Sequence, residues 1–269
     1  MSFALPSANA SVVRNAQYFA HLSNKAYLVD LEANDASLED FKFIDSAPIA
    51  SLDGVNFAIA GRIDGALVIA CRGSDEQVED WWHNFNFNQN GDYDGYVHRG
   101  FYESANSIWT PLVRYLNATW ERDDVVWITG HSLGGAMATL LARWLHHEKW
   151  KIAGVYTFGQ PRAGDDDYAA AYPLEDVHYR FVNSRDIVPQ LPLPWMGPQV
   201  SYKHVGTSYK FDEAGVLQRG ERGWSELSAE FARSVLTRGI GSATVGTFVF
   251  SFEDHRLMNY IRKIDAYLQ

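Results

Sequence analysis

Residues 129–136 read "TGHSLGGA", directly after the apolar run "VVWI" at 125–128 and before a long amphipathic stretch. A serine flanked by small residues at this point fits a sharp strand-to-helix turn. On such a turn the strained backbone lifts the hydroxyl clear of the sheet, and the residues two before and two after must be tiny to avoid collision. Gly130 and Gly134 meet that demand, and Gly135, Ala136 and Ala138 are small enough to let the next helix pack closely on the strands. The N-terminus of that helix favours developing negative charge. Ser132 is then an exposed nucleophile candidate; the plainer reading is a capping serine in a simple turn.

Working outward, strands and helices alternate: "ALVIAC" (66–71), a helix over 101–120, "VVWIT" (125–129), a helix over 134–150, "AGVYTFG" (153–159) and "VHYRFVN" (177–183). The alternation predicts parallel crossovers with helices on both faces of a mostly parallel sheet. Upstream, residues 48–73 break into three apolar runs at Asp53-Gly54 and Asp64-Gly65, so the sheet begins antiparallel. Val12, Ala16, Phe19, Ala20 and Ser23 share a helical face behind Ser11, a suitable N-cap. The segment "IVPQLPLPWMGP" (187–198) holds four of the nine prolines, which predicts a stiff surface loop without helix. Residues 225–250 are almost uncharged after Arg238 and are interrupted by Gly239, Gly241 and Gly246. They read as a helix packed on the sheet, or as a lipid-facing cap. No repeat or low-complexity linker divides residues 1–269, so one α/β domain is expected.

Composition bounds the function. Hydrophobic residues at 46% and charged residues at 21% describe a globular chain with ample apolar surface to bury. A formal net charge of -10 repels nucleic acid and strongly anionic membranes, and favours a neutral or dispersed substrate. Cys71 is the sole cysteine, which excludes an intrachain disulfide and a cysteine-based zinc cluster and makes the cytoplasm the default compartment. The first nineteen residues lack a basic region followed by a sustained apolar stretch, and no window approaches the roughly 18 apolar residues of a membrane span. Neither a signal peptide nor an integral span is expected, and the sequence carries no signal for an oligomeric state.

A serine hydroxyl is a poor nucleophile unless a histidine takes its proton, and that histidine needs a carboxylate to fix its tautomer. In folds with this elbow the chain order is Ser, then Asp or Glu, then His. Of the histidines after Ser132, His146 and His147 sit on the exposed end of a helix, which leaves His178, His204 and His255, whereas His131, inside the elbow, would point away from its neighbour's hydroxyl. Asp186, in "RFVNSRDIVPQLP" (180–192), follows a strand, where sheet enzymes present catalytic groups; its plainer reading is a turn aspartate. Asp176 sits before that strand, at the wrong end, and His178 precedes Asp186. His204 and His255 both remain in play.

Seven segments in order, "CRGS" (71–74), "VHRGFYES" (97–104), "TGHSLGGAMATLLA" (129–142), "TFGQPRAGD" (157–165), "RFVNSRDIVPQLP", "YKHVG" (202–206) and "EDHRLMNYI" (253–261), resemble the class 3 lipase family. These are the fungal-type triacylglycerol lipases and their bacterial and plant relatives among the α/β-hydrolases. The resemblance covers roughly residues 66–265. It implies Ser132 as nucleophile, Asp186 and His255 as its partners, and a structural role for His204. Asp254, adjacent to His255, is read as a cap of the last helix. For the oxyanion it implies the N–H of Leu133 and the N–H or hydroxyl of Ser74, which would also suit helix capping.

After Ser74, Val78, Trp81, Trp82 and Phe85 fall at i, i+3, i+4 and i+7 opposite Glu76, Gln77, Glu79, Asp80 and Asn84, a short amphipathic helix. Such a stripe is ordinarily core; the resemblance implies instead a lid, residues 75–90, that opens at an oil surface. The segment departs from the family in Asp80, where Asn commonly precedes the tryptophan, and in seeming one residue longer. The expected function is carboxylic ester hydrolysis through an acyl-enzyme on a lipid or small ester, with acylglycerols first. Phospholipase A1 or feruloyl-type esterase activity is the alternative, and a non-catalytic lipid-binding relative the alternative of another class. No metal or cofactor is implied.

Overall fold

The computed structural model describes residues 6–7, 10–28, 36–74, 89–121, 123–183, 186–192, 201–220 and 253–269. The lid candidates Val78, Trp81, Trp82 and Phe85 and the segment 225–250 lie outside the described residues.

The apolar runs form strands. β1 (Asp45–Ala50), β2 (Phe57–Ile63) and β3 (Ala66–Cys71) pair antiparallel across turns that contain the two Asp-Gly pairs. A separate two-stranded ribbon, β4 (Gln89–Asp92) and β5 (Gly95–His98), precedes the long helix α2 (Arg99–Thr119). Then come β6 (Val125–His131), helix α3 (Leu133–His147), β7 (Ile152–Phe158), the short helix α4 (Asp166–Ala170), β8 (His178–Asn183), β9 (Thr207–Phe211) and β10 (Leu217–Arg219). In the eight-stranded sheet the order is β1-β2-β3-β6-β7-β8-β9-β10, and β3, β6, β7, β8 and β9 run parallel. The expected mostly parallel sheet with antiparallel N-terminal strands is present, and β10 adds an antiparallel edge at the other end.

Register sets where chemistry can occur. Cys71 lies opposite Gly130, His131 opposite Phe158, and Phe158 opposite Phe181. The C-terminal ends of four neighbouring strands therefore open at one edge, where α/β folds bind ligands.

Each face of the sheet has its own core. α2 and α3 cover one, with Ile108, Leu112, Met137, Leu140 and Leu141 fully buried. Helix α1 (Val12–Leu28) and the last helix, α5 (Leu257–Tyr267), cover the other. The Ser11 hydroxyl accepts the Arg14 N–H at 3.3 Å, so the N-cap read from the sequence is formed.

Two expectations are corrected. Residues 188–192 are buried rather than on the surface, and Val188–Gln190 forms a single 3-10 turn. The reason is distant donors: the Arg162 side chain donates to the Gln190 and Pro192 carbonyls, and the His204 ring donates to Pro189 O at 2.8 Å. Asp254 does not cap α5, whose N-cap position is Arg256 with no side-chain bond; the Asp254 carbonyl instead accepts the Asn183 side-chain amide at 2.9 Å.

Phe19 of α1 is fully buried and stacks on Tyr156 at 4.7 Å, with Trp127 at 5.6 Å. Phe19→Ala removes the ring that joins α1 to the sheet, and should cost about 3–5 kcal/mol in urea unfolding. A loss below about 1 kcal/mol would mean that α1 contributes little to this core.

Candidate active site

The elbow forms as its small residues require. Ser132 has φ 58 and ψ -128, a conformation that few non-glycine residues adopt. A Cβ on Gly134 would lie 2.3 Å from the Cys71 carbonyl oxygen, and one on Gly130 would lie 2.2 Å from that of Gly134. Only hydrogen fits at both. The Ser132 N–H donates to Phe158 O at 3.0 Å, fixing the turn to the end of β7. Leu133 opens α3, so its N–H is one of the four amides that a helix start leaves without an intrahelical acceptor. Ser74 is half-buried and follows Gly73, where a Cβ would come within 2.7 Å of the His131 carbonyl. The chain therefore leaves β3 directly beside the elbow.

Asp186 and His255, 69 residues apart in sequence, meet at the same edge: His255 Nδ1 and Asp186 Oδ2 are 2.7 Å apart and both residues are buried. Since a carboxylate only accepts, Nδ1 carries the proton, and Nε2 of the neutral ring is left as an acceptor. Asp186 Oδ1 takes the Val188 N–H at 2.9 Å, while Oδ2 also takes the Tyr260 hydroxyl. Tyr260 in turn accepts the Asn183 N–H at 3.1 Å. Burial first, and then the Asp186 charge, hold the Tyr260 phenol well above its usual range, so it stays a donor.

His255 Nε2 is buried and has no hydrogen-bond partner among the described residues, Ser132 included. Bonds of this kind often tighten only around a substrate. The Cε1–Nδ1 edge of the ring is crowded. Gly159 has φ +59, and a Cβ there would lie 2.8 Å from His255 Cε1, 2.9 Å from Nδ1 and 3.0 Å from Asp186 Oδ2.

The competing histidines are engaged otherwise. The His131 ring lies tilted 4.5 Å from that of His255, and its Nε2–H donates to the His255 carbonyl at 2.7 Å while Nδ1 accepts the Tyr27 hydroxyl at 2.9 Å. Both nitrogens are occupied, so His131 ties the elbow to the His255 turn and takes no proton from Ser132. Burial, with His255 adjacent, holds its pKa well below the ordinary 6.5. His204 lies against Pro189 O, and His178, at the opposite end of β8 from Asp186, contacts the Tyr172 and Thr157 hydroxyls at 3.0 and 3.4 Å. Among the described residues no cluster of three His, Cys, Asp or Glu could hold a metal, and no helix is long and apolar enough to cross a membrane.

A family model described as lipase (class 3) matches residues 68–195. Over that stretch the chain is similar to the class 3 lipases. Toxin TseL of Vibrio cholerae is 36% identical over 109 residues, 39% of this chain and 16% of the toxin. The secreted mono- and diacylglycerol lipase 1 of Fusarium solani is 33% identical over 157 residues, 54% of this chain and 44% of that protein. The chain thus spans less than two thirds of the length of these relatives. The crystal structure of a lipase from Rhizopus microsporus var. chinensis superposes with a TM-score of 0.61 at 26% identity, covering 75% of each chain.

Within this sheet Ser74, Ser132, Leu133, Asp186 and His255 lie toward one edge, together with four residues that sequence reasoning missed. Gly159 and Tyr260 lay inside quoted motifs, "TFGQPRAGD" and "EDHRLMNYI", without an assigned role. Asn183 likewise lay inside "RFVNSRDIVPQLP" without an assigned role, and Tyr27 carried no signal, since its contact spans 104 residues.

His131, His178 and His204 are all held well below 6.5 mainly by burial. The unfolded chain then binds protons that the folded chain refuses. Stability should therefore fall as pH drops below about 6.5, by up to about 1.4 kcal/mol per pH unit for each ring. Urea midpoints collected from neutral to mildly acidic pH test this, and a flat profile would contradict it. Gly159→Ala forces a side chain into a left-handed conformation against His255 and Asp186. It should abolish the downfield His255 Nδ1–H resonance in proton NMR and cost about 1–3 kcal/mol.

Proposed function

We propose that this chain is a carboxylic ester hydrolase that cleaves acylglycerols through a Ser132–His255–Asp186 acyl-enzyme mechanism. The observation that carries this is the buried His255–Asp186 hydrogen bond at 2.7 Å, formed at the sheet edge where the strained Ser132 elbow opens. Acylglycerols are favoured because the matched relative from Fusarium solani is named for mono- and diacylglycerols.

In this reading the Ser132 oxygen attacks the ester carbonyl carbon while its proton passes to His255 Nε2. Asp186 remains a carboxylate and stabilises the imidazolium. The carbonyl electron pair moves onto oxygen, where Leu133 N–H and the Ser74 N–H or hydroxyl receive it. Collapse breaks the bond to the alkoxide, which takes the proton from His255. Water, deprotonated by the same ring, then releases the fatty acid and restores Ser132. No step calls on a metal or cofactor.

The remaining parts of the proposal rest on sequence. Residues 1–269 are one domain, residues 75–90 are a lid whose Val78, Trp81, Trp82 and Phe85 face an oil surface when open, and residues 225–250 are a helix packed on the sheet or a lipid-facing cap beside the active site. With one cysteine, buried in β3, the fold needs no oxidant, which suits the cytoplasm as default and equally secretion by a route without a visible signal.

A panel of short and long acyl esters, soluble and emulsified, with phospholipid and feruloyl esters included, tests the assignment. Ser132→Ala should lower turnover by about a thousandfold or more without unfolding. Turnover near wild type would remove Ser132 from the mechanism. Preference for emulsified acylglycerol, with a rise as substrate passes its solubility limit, is the result expected of a lidded lipase. Greater activity on phospholipid or feruloyl ester would replace acylglycerol as the substrate class, and a rate unchanged across the solubility limit would remove the lid.

A further inference from the structure

A cavity of about 280 Å3 opens at the C-terminal end of α3, lined among others by Asp92, Tyr93, Tyr102, Trp109, Trp144 and Glu148. Trp144 lies twelve residues along α3 from Ser132, about 18 Å at the helical rise, so this cavity is remote from the proposed ester site. Three of its walls are aromatic. Trp144 meets Tyr102 edge-on at 5.4 Å and Trp109 edge-on at 5.6 Å, so the three rings pack on one another along this side of the cavity.

The charge lining that space is negative. Asp92 is 5% exposed, and its Oδ1 accepts the Trp144 indole N–H at 2.7 Å, while Oδ2 has no partner among the described residues. Glu148 caps the C-terminus of α3, where the helix carbonyls add their own negative potential. The charged side chains around Asp92 include Asp94 on the β4–β5 turn, Glu148, and Arg143 on α3. The Arg143 guanidinium is turned to Asp94 at 3.4 Å and lies 4.5 Å over Tyr168 and 5.7 Å over Tyr93. Three carboxylates thus gather at this end of α3 beside one guanidinium, which is paired with Asp94. His147 is stacked on Tyr93 at 3.8 Å. A neighbouring depression of about 660 Å3 shares Trp109 and Glu148 and sets Asp123 and Asp124 against Lys149 and Lys151, so its charge is mixed where that of the smaller cavity is carboxylate alone.

We propose that this cavity binds an organic ammonium cation, with a trimethylammonium group held against Tyr102, Trp109 and Trp144 and neutralised by Asp92 and Glu148. Aromatic faces attract a large, weakly hydrated cation and offer no ligating atoms to a metal ion. Such a group occurs on free choline and on choline lipid headgroups alike.

Calorimetric titration of the Ser132→Ala protein with choline, and with its uncharged tert-butyl isostere, tests the site. Choline should bind saturably at up to tens of millimolar, and the isostere about tenfold more weakly. Asp92→Asn preserves an acceptor for Trp144 and should weaken choline about tenfold; Trp109→Ala should do the same while near-UV circular dichroism outside the lost tryptophan stays unchanged. Absence of saturable choline binding, equal binding of choline and isostere, or wild-type affinity in Asp92→Asn would each overturn the proposal, even if Trp109→Ala fails to fold. Suppression of the choline signal by phosphatidylcholine vesicles would assign the source to a lipid headgroup, and its retention would assign it to a soluble ammonium compound; both support the site.

Discussion

At the elbow backbone packs directly on backbone: a Cβ on Gly134 would lie 2.3 Å from the Cys71 carbonyl oxygen at the top of β3, and one on Gly130 would lie 2.2 Å from the Gly134 carbonyl oxygen. This contact lets α3 start within one residue of the end of β6 and run directly across the sheet. Its consequences spread from there. α3 buries Ala136, Met137, Ala138, Leu140 and Leu141 against the strands, which its small first turn permits. The same proximity forces Ser132 to φ 58, and the Ser132 amide is held by Phe158 O at the end of the next strand. The strain at that one residue, of order 1–3 kcal/mol, persists because helix and sheet packing on both sides over-determines it.

A second layer of constraint fixes the histidine. His255 is held by three elements at once: Asp186 at Nδ1, the His131 ring at its carbonyl, and Gly159 pressed against its Cε1 edge. Asp186 is itself held by Val188 N–H and the Tyr260 hydroxyl, so both carboxylate oxygens are occupied before any substrate arrives. A buried carboxylate beside an imidazole is costly unless its acceptors are satisfied, and here neutral donors satisfy them. The residue that precedes the serine thus positions the residue proposed as its base, although 124 positions separate His131 from His255.

Much of this was legible in the sequence, and the illegible part has a common cause. Local signals sufficed for the hairpins at Asp53-Gly54 and Asp64-Gly65, the Ser11 cap and the small residues about Ser132, since each depends on neighbours a few positions away. Asp186 could be ranked by its place after a strand, but the choice of His255 over His204 came from the resemblance to class 3 lipases. The distinction lies in long-range contacts: His204 is taken up by Pro189 O, while His255 meets Asp186. Residues 188–192 misled for the same reason. Prolines argue for an exposed loop until Arg162 and His204, from elsewhere in the chain, satisfy its carbonyls and allow burial. Strands β9 and β10, of five and three residues, are too short to show an alternating pattern.

Helix α3 also gives the molecule an electrostatic axis. Its N-terminal amides, beginning at Leu133, face the edge where an ester oxyanion is proposed to form, while its C-terminal carbonyls end beside Asp92 and Glu148. The two ends of one helix therefore suit opposite charges, and the helix dipole favours both occupants without favouring one over the other. Arg143 illustrates how strongly the C-terminal end accepts positive charge. A fully buried guanidinium would be prohibitive in an apolar core, yet it is accommodated there by Asp94, the Tyr168 carbonyl and two aromatic faces. One cation is thus already built into the fold at this end, and the neighbouring cavity repeats the same chemistry, aromatic walls with carboxylates, with space where the guanidinium would be.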